Sequence, residues 1–218
     1  MDLAYESAHT FMGKYEMKEC DGLTDIAHPC KYMGFEFLKS LNLMGIATMG
    51  EALNCLLVNC VCLQKVSLYG CGGFRNDRLR VVGPSKKLMH LEIVKCSAEV
   101  LEINHPNLVS FSYDGDYMTF FLWNAPLLAE VSLKYNRAVS HFVVFSNLYS
   151  CRPYMEVLKL NTTLLYKNHG ITKFSNLKHL ELRIAADKDC CVLLLASFIE
   201  ASPMLQKLVL EVCIYSCL

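Results

Sequence analysis

The 218-residue chain balances 21 Lys and Arg against 21 Asp and Glu, so no whole-chain field gathers a phosphate backbone or an anionic membrane. It is 53% hydrophobic, yet its longest apolar candidate, Leu43 to Leu63, is interrupted by Glu51, Asn54 and Asn59, and a bilayer span takes about 20 apolar residues. Met1-Asp2-Leu3 opens with neither the basic nor the apolar region of a secretory signal, so the expectation is a cytoplasmic or nuclear chain whose 12 cysteines are free, buried thiols.

In chain order, residues 1–37 carry little periodicity and read as a divergent N-terminal cap or a disordered segment. From Leu38 a spacing of apolar, two residues, apolar, one residue, apolar recurs. Units start at Leu38, Leu63, Leu88, Leu108, Leu128, Met155, Leu177 and Leu205, at intervals of 20 to 28 residues. All 24 key sites of these eight units are apolar; 18 are Leu, and the others are Val66, Ile93, Phe111, Tyr113, Val131 and Met155. Alternation over so short a run predicts strands with one buried face. Between the first two units, Thr48 and Glu51 form a capping-box pattern ahead of a helix over Ala52 to Asn59. Gly70-Cys71-Gly72-Gly73 and Gly83-Pro84 read as turns. A second helix is expected over Cys190 to Ala201, capped by Asp187 or Asp189 and closed by Pro203.

Repeats of this length and pattern specify an α/β leucine-rich-repeat solenoid over residues 38–218. About eight parallel strands should form an open curved sheet, with the returns running over the convex side as loops and short helices. Leu41, Leu91, Leu158, Leu180 and Leu208 are expected to be buried. The ninth position of such a unit bonds the turn backbone, and here it holds Cys71, Cys96, Asn136, Thr163 and Cys213, which assigns those cysteines to packing. The last strand offers a parallel edge that invites pairing with other chains.

Side chains between the buried positions line the concave wall, where any binding function should reside. The candidates are Lys65, His90, Glu92, Ser112, Glu130, Lys159, His179 and Glu181, with Tyr69 and Tyr135 at strand exits as aromatic anchors. Mixed charge suits a polar protein surface better than nucleic acid. Catalysis finds no support: there is no Gly-x-Ser-x-Gly elbow, and the seven histidines are scattered. Ser85-Lys86 lacks the upstream glycine of a phosphate loop, so no cofactor is expected. Cys55 with Cys60 and Cys213 with Cys217 have loose ligand spacing, but they lie far apart in sequence, and a structural thiol role is the expectation for them rather than a metal site.

The segments FSNLKHLELRI at Phe174–Ile184, LLLASFIEASPMLQKLVLEV at Leu193–Val212, NLVSFSYDG at Asn107–Gly115 and APLLAEVSL at Ala125–Leu133 resemble the repeat region of plant F-box/LRR proteins of the FBD-associated type. The resemblance covers about residues 60 to 218. It implies a substrate-recognition module of a Skp/cullin/F-box ubiquitin ligase, with a protein target on the concave face and a Skp-type adaptor bound only through an F-box. Residues 1–37 show no Leu-Pro opening and no terminal Trp, the only Trp being Trp123, and nothing after Leu210 resembles an FBD segment. The expectation is therefore a truncated module that does not bind the adaptor alone. A stand-alone interaction scaffold is the alternative.

Overall fold

In the computed structural model, the described residues are 2–3, 35, 37–47, 52–74, 77–82, 87–140, 144, 147–165, 173–186 and 188–214. Among the described residues there are thirteen strands: β1 (Asp2–Leu3), β2 (Ser40–Met44), β3 (Lys65–Tyr69), β4 (Arg78–Val82), β5 (His90–Val94), β6 (Val100–Asn104), β7 (Ser110–Gly115), β8 (Thr119–Trp123), β9 (Glu130–Tyr135), β10 (Val139–Ser140), β11 (Val157–Leu165), β12 (His179–Ala186) and β13 (Lys207–Ile214). Two helices have bounds that fall within the described residues, α1 (Ala52–Asn59) and α2 (Lys188–Ala201).

All eight expected strands form and stack in parallel, in the order β2-β3-β5-β7-β9-β11-β12-β13, with β1 added beside β2 and β10 beside β11. Register follows the repeat: Leu41, Val66, Leu91, Phe111, Val131, Leu158, Leu180 and Leu208 are successive partners. In the first seven units every key position is buried. The eighth departs from expectation, because Leu208 and Leu210 are 39% and 43% exposed. Among the described residues β13 has a strand neighbour only at β12, so its core-facing leucines are covered from one side.

Strand exits show how the turns are made. Gly45, Gly70 and Lys95 occupy the same place in three units and adopt left-handed φ of 67°, 59° and 50°. That conformation points each amide at the next strand: Gly45 N–H donates to Tyr69 C=O and Gly70 N–H to Val94 C=O, both at 2.8 Å. Cys71 and Cys96 follow. Their thiols donate to the carbonyls of Leu43 and Tyr69, and of Leu68 and Val94, each at 3.6 Å, in the backbone-bonding role expected of the ninth position. Cys213, by contrast, is exposed on β13.

The convex side differs in part from loops and short helices. α1 forms with the expected bounds; its capping box at Thr48 and Glu51 lies outside the described residues, as does the turn at Gly83-Pro84. α2 starts at Lys188, which puts Asp189 inside the helix rather than at its cap, while Asp187 is outside the described residues. Between the two helices the returns build a second parallel sheet, β4-β6-β8. Its inward residues Leu79, Val81, Leu101, Ile103, Phe120 and Leu122 pack against the main sheet. Phe120 meets Phe111 and Tyr113 edge-on, at centroid distances of 5.4 and 5.1 Å.

On the outer side of that second sheet, Glu102 is only 5% exposed and carries two guanidiniums, with Arg78 at 2.6 Å and Arg80 at 2.8 Å. Burial alone would raise its pKa. The two arginines outweigh burial and hold the carboxyl below its ordinary range. A carboxylate with a depressed folded pKa stabilises the fold above its unfolded value of about 4.3, and that stability disappears as pH falls through the folded pKa. Glu102→Gln should therefore be less stable than the parent at pH 7, and the deficit should shrink between pH 4 and pH 3. Urea midpoints of both proteins across that range measure it; a deficit independent of pH counts against the assignment.

Candidate functional site

The wall expected to be concave corresponds to the face of the main sheet turned away from its buried leucines. Parallel register sorts its side chains into three rows that run across the strands. The first row joins Ser40, Lys65, His90, Ser110, Glu130, Val157, His179 and Lys207. The second joins Asn42, Ser67, Glu92, Ser112, Ser132, Lys159, Glu181 and Val209. The third joins Met44, Tyr69, Val94, Asp114, Lys134, Asn161, Arg183 and Glu211. Nine of the ten expected surface residues therefore share one wall, with Lys65, His90, Glu130 and His179 in its first row and Glu92, Ser112, Lys159 and Glu181 in its second.

Tyr135, expected as an aromatic anchor of the wall, is the exception. It is 4% exposed and lies on the core side with Val131 and Leu133. The period of two decides this: Tyr69 continues the row of Lys65 and Ser67 on the face opposite Val66 and Leu68, whereas Tyr135 continues the core-side row of Val131 and Leu133. Its ring meets Tyr113 at 5.9 Å, and burial pushes its hydroxyl pKa up to about 12. The third row contributes residues that sequence reasoning missed, namely Asp114, Lys134, Arg183 and Glu211. The signal was present one alternation beyond the last position considered.

Charges on the wall are answered mostly across strands. Tyr69 Oη donates to Glu92 Oε2 at 2.7 Å and Ser67 Oγ donates to the same oxygen at 3.1 Å. The bond to Glu92 and then burial raise the Tyr69 pKa. Lys159 pairs with Glu130 at 2.6 Å and Lys134 with Asp114 at 2.8 Å. Arg183 reaches Glu181 at 3.1 Å and Glu211 at 3.3 Å. His90 Nδ1 lies 2.7 Å from Ser110 Oγ. Five cations (Lys65, Lys134, Lys159, Arg183, Lys207) face five anions (Glu92, Asp114, Glu130, Glu181, Glu211) over the three rows, so the wall has mixed sign without a net field. Exposed pairs of this kind contribute only about 0–1 kcal/mol each to folding, and they can exchange partners with a docking surface.

Among the described residues no three His, Cys, Asp or Glu side chains cluster as a metal site. Cys60 is buried at the end of α1, where desolvation raises its thiol pKa; Cys217 lies outside the described residues, as does the side chain of Cys55. No helix among the described residues is long and apolar enough to cross a membrane.

A family model for the At1g61320/AtMIF1 LRR domain matches residues 22–217, a span that begins ahead of the first repeat at Leu38. No curated protein and no solved structure matches the chain. With nearly its whole length covered by that model, and with the repeat observed strand by strand, the chain belongs to the At1g61320/AtMIF1 family of leucine-rich-repeat domains.

Proposed function

We propose that the chain is a protein-binding module that captures a polar segment of a partner protein on its concave wall and acts by binding, without catalysis. A leucine-rich-repeat domain supports a protein-interaction role. The observation that carries the concave-face reading is the three-row register, which sets Glu92, Lys159, Glu181 and their neighbours on one sheet with alternating sign. Such a surface recognises a partner through complementary charge and gains specificity from it. Glu92→Lys combined with Lys159→Glu reverses two sites in the middle row while leaving every buried leucine in place. Affinity capture from a plant extract with quantitative mass spectrometry should find proteins retained by the parent and reduced at least about tenfold by the double variant, as one or two lost charge pairs imply. An identical retained set for both proteins overturns the concave-face reading.

Within this reading, the resemblance to F-box/LRR proteins supports substrate recognition for a ubiquitin ligase, in the cytoplasm or nucleus. A second reading is a scaffold independent of ubiquitination; residues 1–37 themselves carry neither the Leu-Pro opening nor the terminal Trp of an F-box. Calorimetry of this chain with a Skp-type adaptor, with a full-length F-box protein as the control, is expected to show no micromolar binding; such binding would restore adaptor recruitment to this chain.

A further inference from the structure

We propose that the outer edge of β13 is a two-fold docking strand for a second copy of the chain, paired antiparallel about Val209. Three observations meet there. Leu208 and Leu210 continue the buried rows of Leu180 and Leu182, which are 0% exposed, yet they stand 39% and 43% exposed themselves. No strand among the described residues pairs with that edge. Lys207 N–H donates to Lys178 C=O at 2.9 Å, so amides and carbonyls of the odd-numbered residues turn toward β12, and those of Leu208, Leu210 and Val212 turn outward.

The five residues Lys207-Leu208-Val209-Leu210-Glu211 are complementary to their own reverse. Pairing about Val209 puts Leu208 opposite the second copy's Leu210, and both of these present outward backbone groups, so they exchange two hydrogen bonds on each side of the axis. Val209 meets itself as a non-hydrogen-bonded pair, the closer of the two kinds of antiparallel contact. On the concave side Lys207 faces the second copy's Glu211, and symmetry repeats the contact. Glu211 then lies between that lysine and its own neighbour Arg183, 3.3 Å away. On the core side four leucines cover one another.

Other registers that keep each face on its own side lose this match. Centring on Leu210 sets Val209 against Glu211, and centring on Leu208 sets Lys207 against Val209. One step further, at Lys207 or Glu211, like charges oppose. Charge therefore selects both the occupant, a second copy, and the register. A two-fold contact of this kind closes on itself and stops at the dimer.

Sedimentation equilibrium of the 218-residue chain over a concentration series tests the proposal. The parent is expected to show a monomer–dimer equilibrium. Lys207→Glu and Glu211→Lys each place like charges opposite one another twice, and each should weaken the dimer about tenfold or more. Both positions are solvent-facing, so circular dichroism should match the parent. An equimolar mixture of the two variants restores opposite charges at both contacts and should recover parent-like affinity as a heterodimer. A parent that stays monomeric, a Lys207→Glu variant that dimerises like the parent, a mixture that fails to recover, or assembly beyond the dimer overturns the proposal.

Discussion

Leu180→Asp is expected to remove most or all of the folded population at room temperature. Leu180 is 0% exposed and lies between Leu158 and Leu208 in the ladder, with β11 on one side and β13 on the other. The substitution discards the transfer energy of a full leucine side chain, about 1.5–3 kcal/mol. It also buries a carboxylate with no cation beside it, since the cross-strand neighbours at that depth are leucines. Together these costs exceed about 4 kcal/mol, against a total domain stability of roughly 5–15 kcal/mol. Leu127→Asp is the control, because Leu127 is 54% exposed on a turn and its replacement should change stability by less than about 0.5 kcal/mol. Urea denaturation followed by circular dichroism compares the three proteins. If Leu180→Asp and Leu127→Asp unfold at the same denaturant concentration, the repeat register is wrong.

That register was legible in the sequence because each unit repeats the same burial problem. Leu41, Val66, Leu91 and Phe111 differ in shape, yet each must enter one continuous core, and the spacing alone locates them. The wall followed from the same rule, since a residue between two buried ones faces solvent. Tyr135 falls on the other face because it stands at the eighth position of its unit, one residue later than Tyr69 in its own, and one residue reverses the side in a strand. The second sheet was harder to see. Arg78-Leu-Arg-Val-Val82 and Val100-Leu-Glu-Ile-Asn104 alternate as cleanly as the repeat strands do, but they lie in returns where loops and helices were expected. Their existence depends on neighbouring returns having compatible lengths, so that three extended stretches come to rest side by side. A single repeat does not reveal that. The exposure of Leu208 and Leu210 is of the same kind: the motif is intact, and burial is decided by what stands next to it.

Asn147 presents the remaining feature that no pattern announced, and Asn147→Asp is expected to cost about 3 kcal/mol or more at pH 7. The side chain is 4% exposed and bonds the edge of β8 that no strand among the described residues pairs with. Its Oδ1 accepts from Phe120 N–H at 3.1 Å, and its Nδ2 donates to Met118 C=O at 2.9 Å and toward Tyr135 Oη at 3.5 Å. One amide thus satisfies a backbone donor and a backbone acceptor that would otherwise be buried without partners, each worth about 1–3 kcal/mol if orphaned. Aspartate has the same shape and keeps the acceptor, but an ionised carboxylate sets an oxygen against Met118 C=O where a donor is needed. Protonation replaces that repulsion with an O–H donor. The folded state therefore favours the neutral acid and raises the aspartate pKa above its unfolded value of about 3.9. A raised carboxyl pKa destabilises the fold above it and ceases to do so below the unfolded value. The deficit of Asn147→Asp relative to the parent should accordingly be largest at neutral pH and shrink as pH falls toward 3.5, whereas Asn147→Leu, which supplies neither donor nor acceptor, should show a deficit of about 2–5 kcal/mol that does not depend on pH. Paired urea titrations of the parent and both variants at pH 7, 5 and 3.5 measure the difference. Equal pH dependence of the two deficits would show that the Asn147 amide does not bridge Met118 and Phe120.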